Sequence, residues 1–200
     1  MVPLIDKKGL VLKQENSLYL LLLSPTDVSQ EYVDWLNNPE INKFTEQRFV
    51  KHDLRGVQSF VEEKLFDEAE YLFGIFYFDK HIGNVKIGPI NSKHLIAPVS
   101  YFIGARETWG NGVATKAVSR VVKFAFEDLM LEKITAGIYE PNIGSRRVLE
   151  KCGFVREAER PENAILDGKR ITTLEFGLLK SQYESALFDL PSKTKSGPLK

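Results

Sequence analysis

The sequence predicts a single α/β domain with a mixed, mostly antiparallel central sheet flanked by helices. Three observations lead to this fold class. Apolar runs of strand length alternate with segments of helical periodicity along most of the chain. Two strand-like runs are separated only by Asp79 and Lys80, a connection of hairpin length. Farther on, a strand-like run, a long amphipathic segment and another strand-like run follow one another as a strand–helix–strand unit.

The first part of the chain predicts one strand and two helices. Residues 1–17 have little periodicity and are expected to form an arm or an irregular first strand, and the apolar run 18–23 predicts a buried strand. Ser24, Pro25 and Asp27 have the spacing of a capping box, which predicts a helix start. That helix should end before Pro39, because the residue before a proline disfavours helical geometry. Apolar residues in helical register predict a second helix over 52–67.

The second part predicts most of the sheet. Strand-like runs cover residues 71–78, 81–90 and 96–103, and another covers 133–139. Between them, two adjacent apolar rows at i, i+4 spacing predict a long helix over 112–130 that lies on the sheet. A short helix over 142–151 should end at Gly153 as its C-cap. A final hairpin should turn at Asp167-Gly168 into a strand over 171–179.

Length and composition fit one folded domain. The chain has 200 residues, of which 43% are hydrophobic and 27% charged, which excludes global disorder. We expect an N-terminal arm over 1–17, the domain over 18–180 and a tail over 181–200. The Lys-, Ser- and Pro-rich end of that tail, 191–200, is predicted to be disordered.

Charge and residue usage exclude several functional classes. Lys plus Arg equals Asp plus Glu at 27 each, so the chain lacks the basic field of a non-specific nucleic-acid binder. No run reaches the ~20 apolar residues that span a membrane, and we expect no signal peptide. Cys152 is the single cysteine, so we expect no internal disulfide, a packing role for this side chain, and a cytoplasmic monomer or homodimer. The three histidines lack metal-ligand spacing, so no metal site is predicted.

The segment over residues 101–115 carries the strongest chemical signal. It reads as a strand, a loop with Gly110 and Gly112, and the start of the long helix. Backbone N–H groups at such a helix N-terminus bind phosphate, although two glycines also suit a simple tight turn. No Lys-Ser or Lys-Thr follows the glycines, which excludes a P-loop, and Thr115 occupies the third glycine position of a dinucleotide fingerprint.

Several segments resemble the GNAT N-acetyltransferases, in particular their RimJ/RimL-like branch, which acts on ribosomal proteins and amino sugars. Residues 109–115 (WGNGVAT) resemble the acyl-CoA loop W-G-x-G-x-A-T of that branch. Residues 142–154 resemble N-x-x-S-x-x-V-L-E-K-x-G-F, and residues 32–41 resemble a segment containing W-L-N-D-P-E. The strand over 133–139 lies between the first two motifs. The resemblance covers about residues 18–180.

The resemblance implies the GNAT fold and an acetyl-CoA-dependent N-acetyltransferase that works by direct attack in a ternary complex. It implies a primary amine acceptor, on a nucleotide-linked amino sugar or a protein N-terminus, and no metal. It makes Ser145 the candidate acid for the CoA thiolate, since the position of the family's tyrosine acid is Leu149 here. The residues implied to bind acetyl-CoA are Phe102, Ile103, Gly104, Arg106, Gly110, Asn111, Gly112, Val113, Ala114, Thr115 and Asn142.

The acceptor side is less determined. The resemblance implies that Trp35, Asn37 and Glu40 contact the acceptor, while helix capping explains the same polar cluster equally well. The general base stays open among Glu40, Glu46, His81, Glu107 and Glu162. Two other functions remain as alternatives: a catalytically silent acyl-CoA-binding or regulatory module on the same fold, and a nicotinamide-dinucleotide binder.

Overall fold

The computed structural model describes residues 2–13 and 17–188. The N-terminal arm falls partly outside these residues, and the tail predicted to be disordered, 191–200, falls outside them entirely. The strands are β1 (Val11–Lys13), β2 (Leu18–Leu22), β3 (Tyr71–Tyr77), β4 (Lys80–Ile87), β5 (Ile96–Ile103), β6 (Lys133–Tyr139), β7 (Val155–Leu166) and β8 (Lys169–Leu179). The helices are α1 (Gln30–Asn37), α2 (Pro39–Asn42), α3 (Leu54–Phe66), α4 (Val113–Lys123), α5 (Ile143–Lys151) and α6 (Lys180–Phe188).

The strands form one eight-stranded sheet in the order β1-β2-β3-β4-β5-β6-β8-β7. Every neighbouring pair is antiparallel except β5 and β6, which are parallel and joined through α4. The mixed, mostly antiparallel sheet with flanking helices confirms the predicted fold class. A parallel pair requires a crossover connection, and α4 supplies it.

The core lies where α4 packs on the centre of the sheet. Its inward rows, including Ala117, Val118 and Val121, are fully buried, as the two apolar rows predicted. On the opposite face, α1 and α3 insert Tyr32, Trp35, Val57 and Val61, which are also buried. The two helical layers cover the sheet on both faces. The segments that follow β5 and β6 at their carboxyl ends remain free to form a site.

Two predicted elements differ in detail. The Ser24 capping box forms, with the Ser24 N–H donating to Asp27 Oδ2 at 2.8 Å, but it opens only a 3₁₀ turn. The chain then becomes extended at Val28 (ψ 110°), and α1 begins one residue after a second cap, Ser29. The long helix is α-helical only to Lys123 and continues as a π-helical turn over Phe124–Asp128. The strand β1 lies within residues 1–17, for which an arm or an irregular first strand was expected, whereas the periodicity did not predict α2 or α6.

Candidate active site

A cleft opens where β5 and β6 diverge. The two strands pair only over Ile96–Pro98 and Lys133–Thr135, and beyond these residues no β5–β6 pairs form. The cleft that continues from this point has a volume of about 1330 Å³ and is bordered by β5, β6, α3, α5 and the start of α4. A gap of this kind exposes main-chain groups that would otherwise pair across the sheet, so it offers hydrogen bonds to an extended ligand.

The start of α4 supplies unpaired donors at one end of the cleft. Gly112, the N-cap residue, has a φ of +74° and no side chain that caps the helix. Gly110 has a φ of +79°, and both conformations favour glycine. Gly110, Gly112, Val113, Ala114 and Thr115 all line the cleft. First-turn N–H groups and the helix dipole therefore converge on a spot suited to an anion.

The main chain of β5 faces the cleft at alternate residues. The Gly104 N–H donates to the Ile82 carbonyl on β4 at 2.8 Å, so this group is already bonded within the sheet. By strand alternation, Phe102 shares that orientation, whereas Tyr101 and Ile103 direct their main-chain groups into the cleft. The Ile103 carbonyl accepts a hydrogen bond from Trp109 Nε1 at 3.0 Å. The free main-chain groups in this stretch are thus those of Tyr101 and the Ile103 N–H.

Helix α5 brings Ser145 to the cleft. Asn142 caps the helix, its Oδ1 accepting from the Ser145 N–H at 3.1 Å. The Tyr101 hydroxyl lies 2.8 Å from the Ser145 hydroxyl and 3.1 Å from the Ser145 carbonyl oxygen, and either oxygen can accept its single proton. Burial raises the pKa of the Tyr101 phenol far above its usual range, against the opposing effect of its hydrogen bond to Ser145. The phenol is therefore neutral and available as a donor throughout the physiological pH range.

The opposite side of the cleft carries ionic groups. Lys64 on α3 and Lys86 on β4 line it, and both form ion pairs with Glu70, which is only 4% exposed. Across the opening, Glu46 accepts a hydrogen bond from the Tyr139 hydroxyl, and Glu175 on β8 lies beside Gly137. An acceptor entering this half would meet apolar surface with charged groups on two sides.

The three residues implied to contact the acceptor are placed differently from one another. Trp35 is 5% exposed and its indole packs against Gly104 beneath the cleft wall. The Asn37 side chain links α1 to the next segment, donating to the carbonyls of Val33 and His52 and accepting from the His52 N–H. Of the three, Glu40 lines the cleft. Trp35 and Asn37 therefore support the wall rather than reaching into the opening.

Arg106 and Asn111, implied to bind acetyl-CoA, lie outside the lining of the cleft. Arg106 forms an ion pair with Glu40, and its guanidinium lies 5.6 Å from the Trp109 ring centroid. The Asn111 N–H donates to the Thr108 carbonyl within the loop. The Glu40–Arg106 pair joins residues 66 positions apart, so the loop before α4 and the short helix α2 meet at the mouth of the cleft.

Among the five candidate bases, Glu40 and Glu46 line the cleft. His81 instead lies in an aromatic cluster with Tyr32, Trp35 and Phe76, and its Nε2 contacts Asn84 Oδ1 at 2.8 Å. Burial lowers its pKa, outweighing these hydrogen bonds, so the imidazole is neutral and packed in the interior. Glu107 and Glu162 are exposed and do not border the opening.

Many cleft residues were not predicted from the sequence, and four of them carry groups that could act on a ligand: Tyr101, Glu175, Arg147 and Lys151. The position of Arg147 and Lys151 could have been predicted, because spacings of three and four residues place them on the same face of α5 as Gly144. Tyr101 and Glu175 had no such signal. Their position in the cleft depends on strand register and on the divergence of β5 from β6, which no local pattern encodes.

Cys152 is partly buried and packs against the hydrophobic core, in line with the predicted packing role. Its sulfur lies 3.4 Å from the Ser119 hydroxyl and 3.5 Å from the Thr115 carbonyl. Burial raises the pKa of this thiol, so it stays protonated at neutral pH. Over residues 2–13 and 17–188, the structure contains no cluster of three or more His, Cys, Asp or Glu that would hold a metal. Within the same described ranges, no helix has both the length and the apolar character needed to cross a bilayer.

The known proteins to which this chain is similar carry acetyltransferase names. Residues 17–155 match the family model described as Acetyltransferase (GNAT) domain. The chain is 40% identical over 110 residues to the probable N-acetyltransferase YjcK of Bacillus subtilis, covering 54% of this chain and 60% of the length of that relative. It is 28% identical over 128 residues to a spermidine N(1)-acetyltransferase of Vibrio cholerae, covering 64% and 73% respectively.

A solved structure extends the similarity over most of the fold. The crystal structure of spermidine N-acetyltransferase from Vibrio cholerae, in complex with CoA and spermine, superposes with a TM-score of 0.75. The sequence identity is 25%, and the match covers 84% of this chain and 98% of that one.

Proposed function

The chain belongs to the GNAT acetyltransferase family, and on that premise we propose that it is an acetyl-CoA-dependent N-acetyltransferase that modifies a primary amine. The observation that carries the proposal is the cleft between β5 and β6, with uncapped helix donors at one end and the hydroxyl of Ser145 along its wall. The same cleft also has a separate half, bordered by Lys86 and Glu175, in which an acceptor could lie beside the thioester.

The N-terminus of α4 would hold the pyrophosphate of CoA. Its first-turn N–H groups lack a side-chain cap, and the positive φ of Gly112 brings the backbone close to the ligand without a Cβ in the way. Arg147 and Lys151 border the same cleft and would add positive charge. Arg106 would contribute once released from Glu40. Fixed backbone donors explain how a loop without a P-loop lysine binds phosphate.

The pantetheine arm would lie in the gap between β5 and β6. The main chain of Tyr101 and the Ile103 N–H are available to pair with its amides, whereas Phe102 and Gly104 are oriented toward β4. Asn142, which also caps α5, borders the same path. This arrangement would replace the missing β5–β6 hydrogen bonds by bonds to the ligand and would orient the thioester carbonyl toward the acceptor half.

The reaction itself is acyl transfer without a covalent enzyme intermediate. The neutral amine nitrogen attacks the thioester carbonyl carbon, the C–N bond forms and the C–S bond breaks, and CoA leaves as a thiolate. The proton lost by the nitrogen balances the one that the thiolate finally gains. Ser145 would donate a hydrogen bond to the leaving sulfur, and Glu40, Glu46 or Glu175 would accept the proton from nitrogen directly or through water.

For the acceptor we propose a primary amine of a small molecule. The protein N-terminus and the nucleotide-linked amino sugar that the RimJ/RimL resemblance implied belong to the same chemical class of nucleophile. The relative from Vibrio cholerae and the solved structure are both spermidine N-acetyltransferases, which supports a small-molecule amine as the acceptor. Because Trp35 and Asn37 support the wall of the cleft, the resemblance of residues 32–41 carries little weight for the choice of acceptor.

Turnover tests the proposal. Purified protein with acetyl-CoA is incubated with a panel of polyamines, amino sugars, nucleotide-linked amino sugars and peptides, and released CoA is quantified by liquid chromatography. We expect amine-dependent release, and Ser145→Ala should lower kcat about 100-fold without weakening CoA binding. Ser119→Ala, on α4 outside the cleft lining, is the matched control. Binding without turnover across the whole panel would instead support the silent module.

A further inference from the structure

Two hydroxyl groups meet in the wall of the cleft, and the proposed mechanism uses only one of them. The Tyr101 hydroxyl on β5 lies 2.8 Å from the Ser145 hydroxyl on α5 and 3.1 Å from the Ser145 carbonyl oxygen. The two residues are 44 positions apart in sequence and both border the cleft. The contact therefore depends on the tertiary fold and links the strand that faces the thioester to the helix that carries the candidate donor.

The direction of the hydrogen bond between the two hydroxyls decides whether Ser145 can donate to a ligand. Each hydroxyl has a single proton, so a serine that donates to the phenol oxygen has no proton left for a ligand. The phenol proton has two acceptors within reach, the Ser145 carbonyl oxygen at 3.1 Å and the Ser145 hydroxyl oxygen at 2.8 Å, and only when it goes to the hydroxyl is the serine proton free to point into the cleft. An anionic sulfur in the cleft favours this second arrangement, because a hydroxyl that already accepts a hydrogen bond becomes a stronger donor.

The surroundings of the pair keep the phenol as a donor. Tyr101 is half-buried, and burial raises the pKa of its phenol well above its usual range, so it holds its proton whenever a thiolate forms. Cys152 lies nearby with its own pKa raised by burial and is neutral. The charged groups bordering the cleft on α5, Arg147 and Lys151, act on a bound sulfur whether or not the phenol is present.

We propose that Tyr101 is a positioning residue that holds the Ser145 hydroxyl as a hydrogen-bond donor to the sulfur of CoA, so that the two hydroxyls together stabilise the leaving thiolate. This inference rests on the proposed function. At position 149, where the resemblance implies a tyrosine acid, this chain has a leucine, and here a strand residue supplies a phenol that acts through Ser145. No covalent bond to Tyr101 or Ser145 forms.

The direct readout is the thiol pKa of CoA bound to the full-length protein. It is obtained by titrating the ultraviolet absorbance of the thiolate against pH, with the desulfo-CoA complex as the blank. Five variants are compared with the unaltered chain: Tyr101→Phe, Ser145→Ala, the double variant of these two, Ser145→Thr, and Tyr183→Phe. Tyr183 hydrogen-bonds Glu127 outside the cleft lining, so Tyr183→Phe controls for loss of a phenol elsewhere.

We expect Tyr101→Phe and Ser145→Ala each to raise the thiol pKa of bound CoA by about one pH unit, the size of one charge-assisted hydrogen bond. In the double variant, the thiol pKa should rise no further than in Ser145→Ala alone. The single variant Ser145→Thr keeps the hydroxyl, so its thiol pKa should be close to that of the unaltered chain. Tyr183→Phe should leave it unchanged.

Two results would contradict this account, and they are distinguishable. A thiol pKa that Tyr101→Phe leaves unchanged, or that rises additively in the double variant, overturns the role of Tyr101 while CoA binding remains intact. A chain that binds neither CoA nor desulfo-CoA overturns the proposed function itself. Thermal unfolding of Tyr101→Phe without ligand shows whether the fold is retained, because the phenyl ring still fills the same space.

Discussion

Replacing Gly104 by alanine tests how the wall of the cleft is built. A Cβ at this position would lie well inside van der Waals contact with three carbons of the Trp35 indole. The indole has little room to move away, because its ring centroid lies 5.2 Å from that of His81 and 6.5 Å from that of Phe102. The backbone is also fixed, since the Gly104 N–H is bonded to the Ile82 carbonyl.

The expected cost follows from this rigidity. Overpacking a well-packed core by one methyl group costs about 1–3 kcal/mol, and a contact with an immobile ring lies at the upper end of that range. For a chain of this size, 1 kcal/mol corresponds to about 2–4 °C in Tm, so Gly104→Ala should lower Tm by roughly 6–12 °C. The assay is thermal unfolding followed by circular dichroism, with urea unfolding to obtain the free energy.

Gly168→Ala is the control for an added methyl group that meets no neighbour. Unlike Gly104, Gly168 has a positive φ, +76°, but nothing lies within 4 Å of an added Cβ, so only backbone strain of about 1 kcal/mol should appear. In the Trp35→Phe background, Gly104→Ala should cost at least 1 kcal/mol less, since the smaller ring relieves the overlap. If Gly104→Ala cost no more than Gly168→Ala, the indole would be mobile, and contact between Trp35 and the acceptor would have to be considered again.

Three further predictions address stability, reactivity and ligand binding. Glu70→Gln should lower the free energy of unfolding by about 3 kcal/mol at neutral pH, because it removes the buried carboxylate that Lys64 and Lys86 share and leaves Lys64 only its pair with the exposed Glu63. Burial alone raises the pKa of Glu70, but the two ammonium groups outweigh it and hold that pKa below its usual value. Its stabilising effect is therefore present above the unfolded-state pKa and lost as the pH falls through the folded one, so denaturation by acid should be less steep in Glu70→Gln. Cys152 should react with alkylating reagents far more slowly than a free thiol, and Cys152→Ala should retain turnover; rapid labelling of the folded protein would contradict the burial argument. Gly112→Ala should weaken CoA binding about tenfold by calorimetry, because an L-residue relieves the cost of about 1–2 kcal/mol at this positive φ by moving the N–H groups that would bind phosphate, and an unchanged Kd would separate this loop from the ligand.

Most of the fold could be predicted from local patterns, because each pattern reflects a local physical requirement. The apolar rows of residues 113–126 require a sheet beneath them. The predicted helix over 142–151 is found as α5, which Asn142 caps at its start and which ends before Gly153. The prediction was wrong at Ser24, where the capping box satisfies one 3₁₀ turn only. A second cap at Ser29 competes with it, and the extended Val28 between them follows from packing on the sheet rather than from any local signal.

The candidate site divides in the same way. The glycine loop and the Asn142–Ser145 turn are contiguous in sequence, so their motifs were visible, and both border the cleft. Contacts between distant segments were not visible. The pairing of Arg106 with Glu40, and that of Tyr101 with Ser145, depends on strand register and on where β5 leaves β6. Trp35 carried a motif signal, yet the close approach of Gly104 places it in the core.

The most direct test of the central claim, that the cleft between β5 and β6 holds acetyl-CoA, is thermal unfolding with acetyl-CoA, CoA, NADH and ATP in separate samples. A ligand at about 100 times its Kd stabilises the folded state by about 2.7 kcal/mol, roughly 5–10 °C here. We predict that acetyl-CoA and CoA raise Tm by this amount, that NADH does not, and that Gly112→Ala reduces the rise. An unchanged Tm with both CoA species would contradict the account, and the glycine loop would then be only a tight turn between β5 and α4.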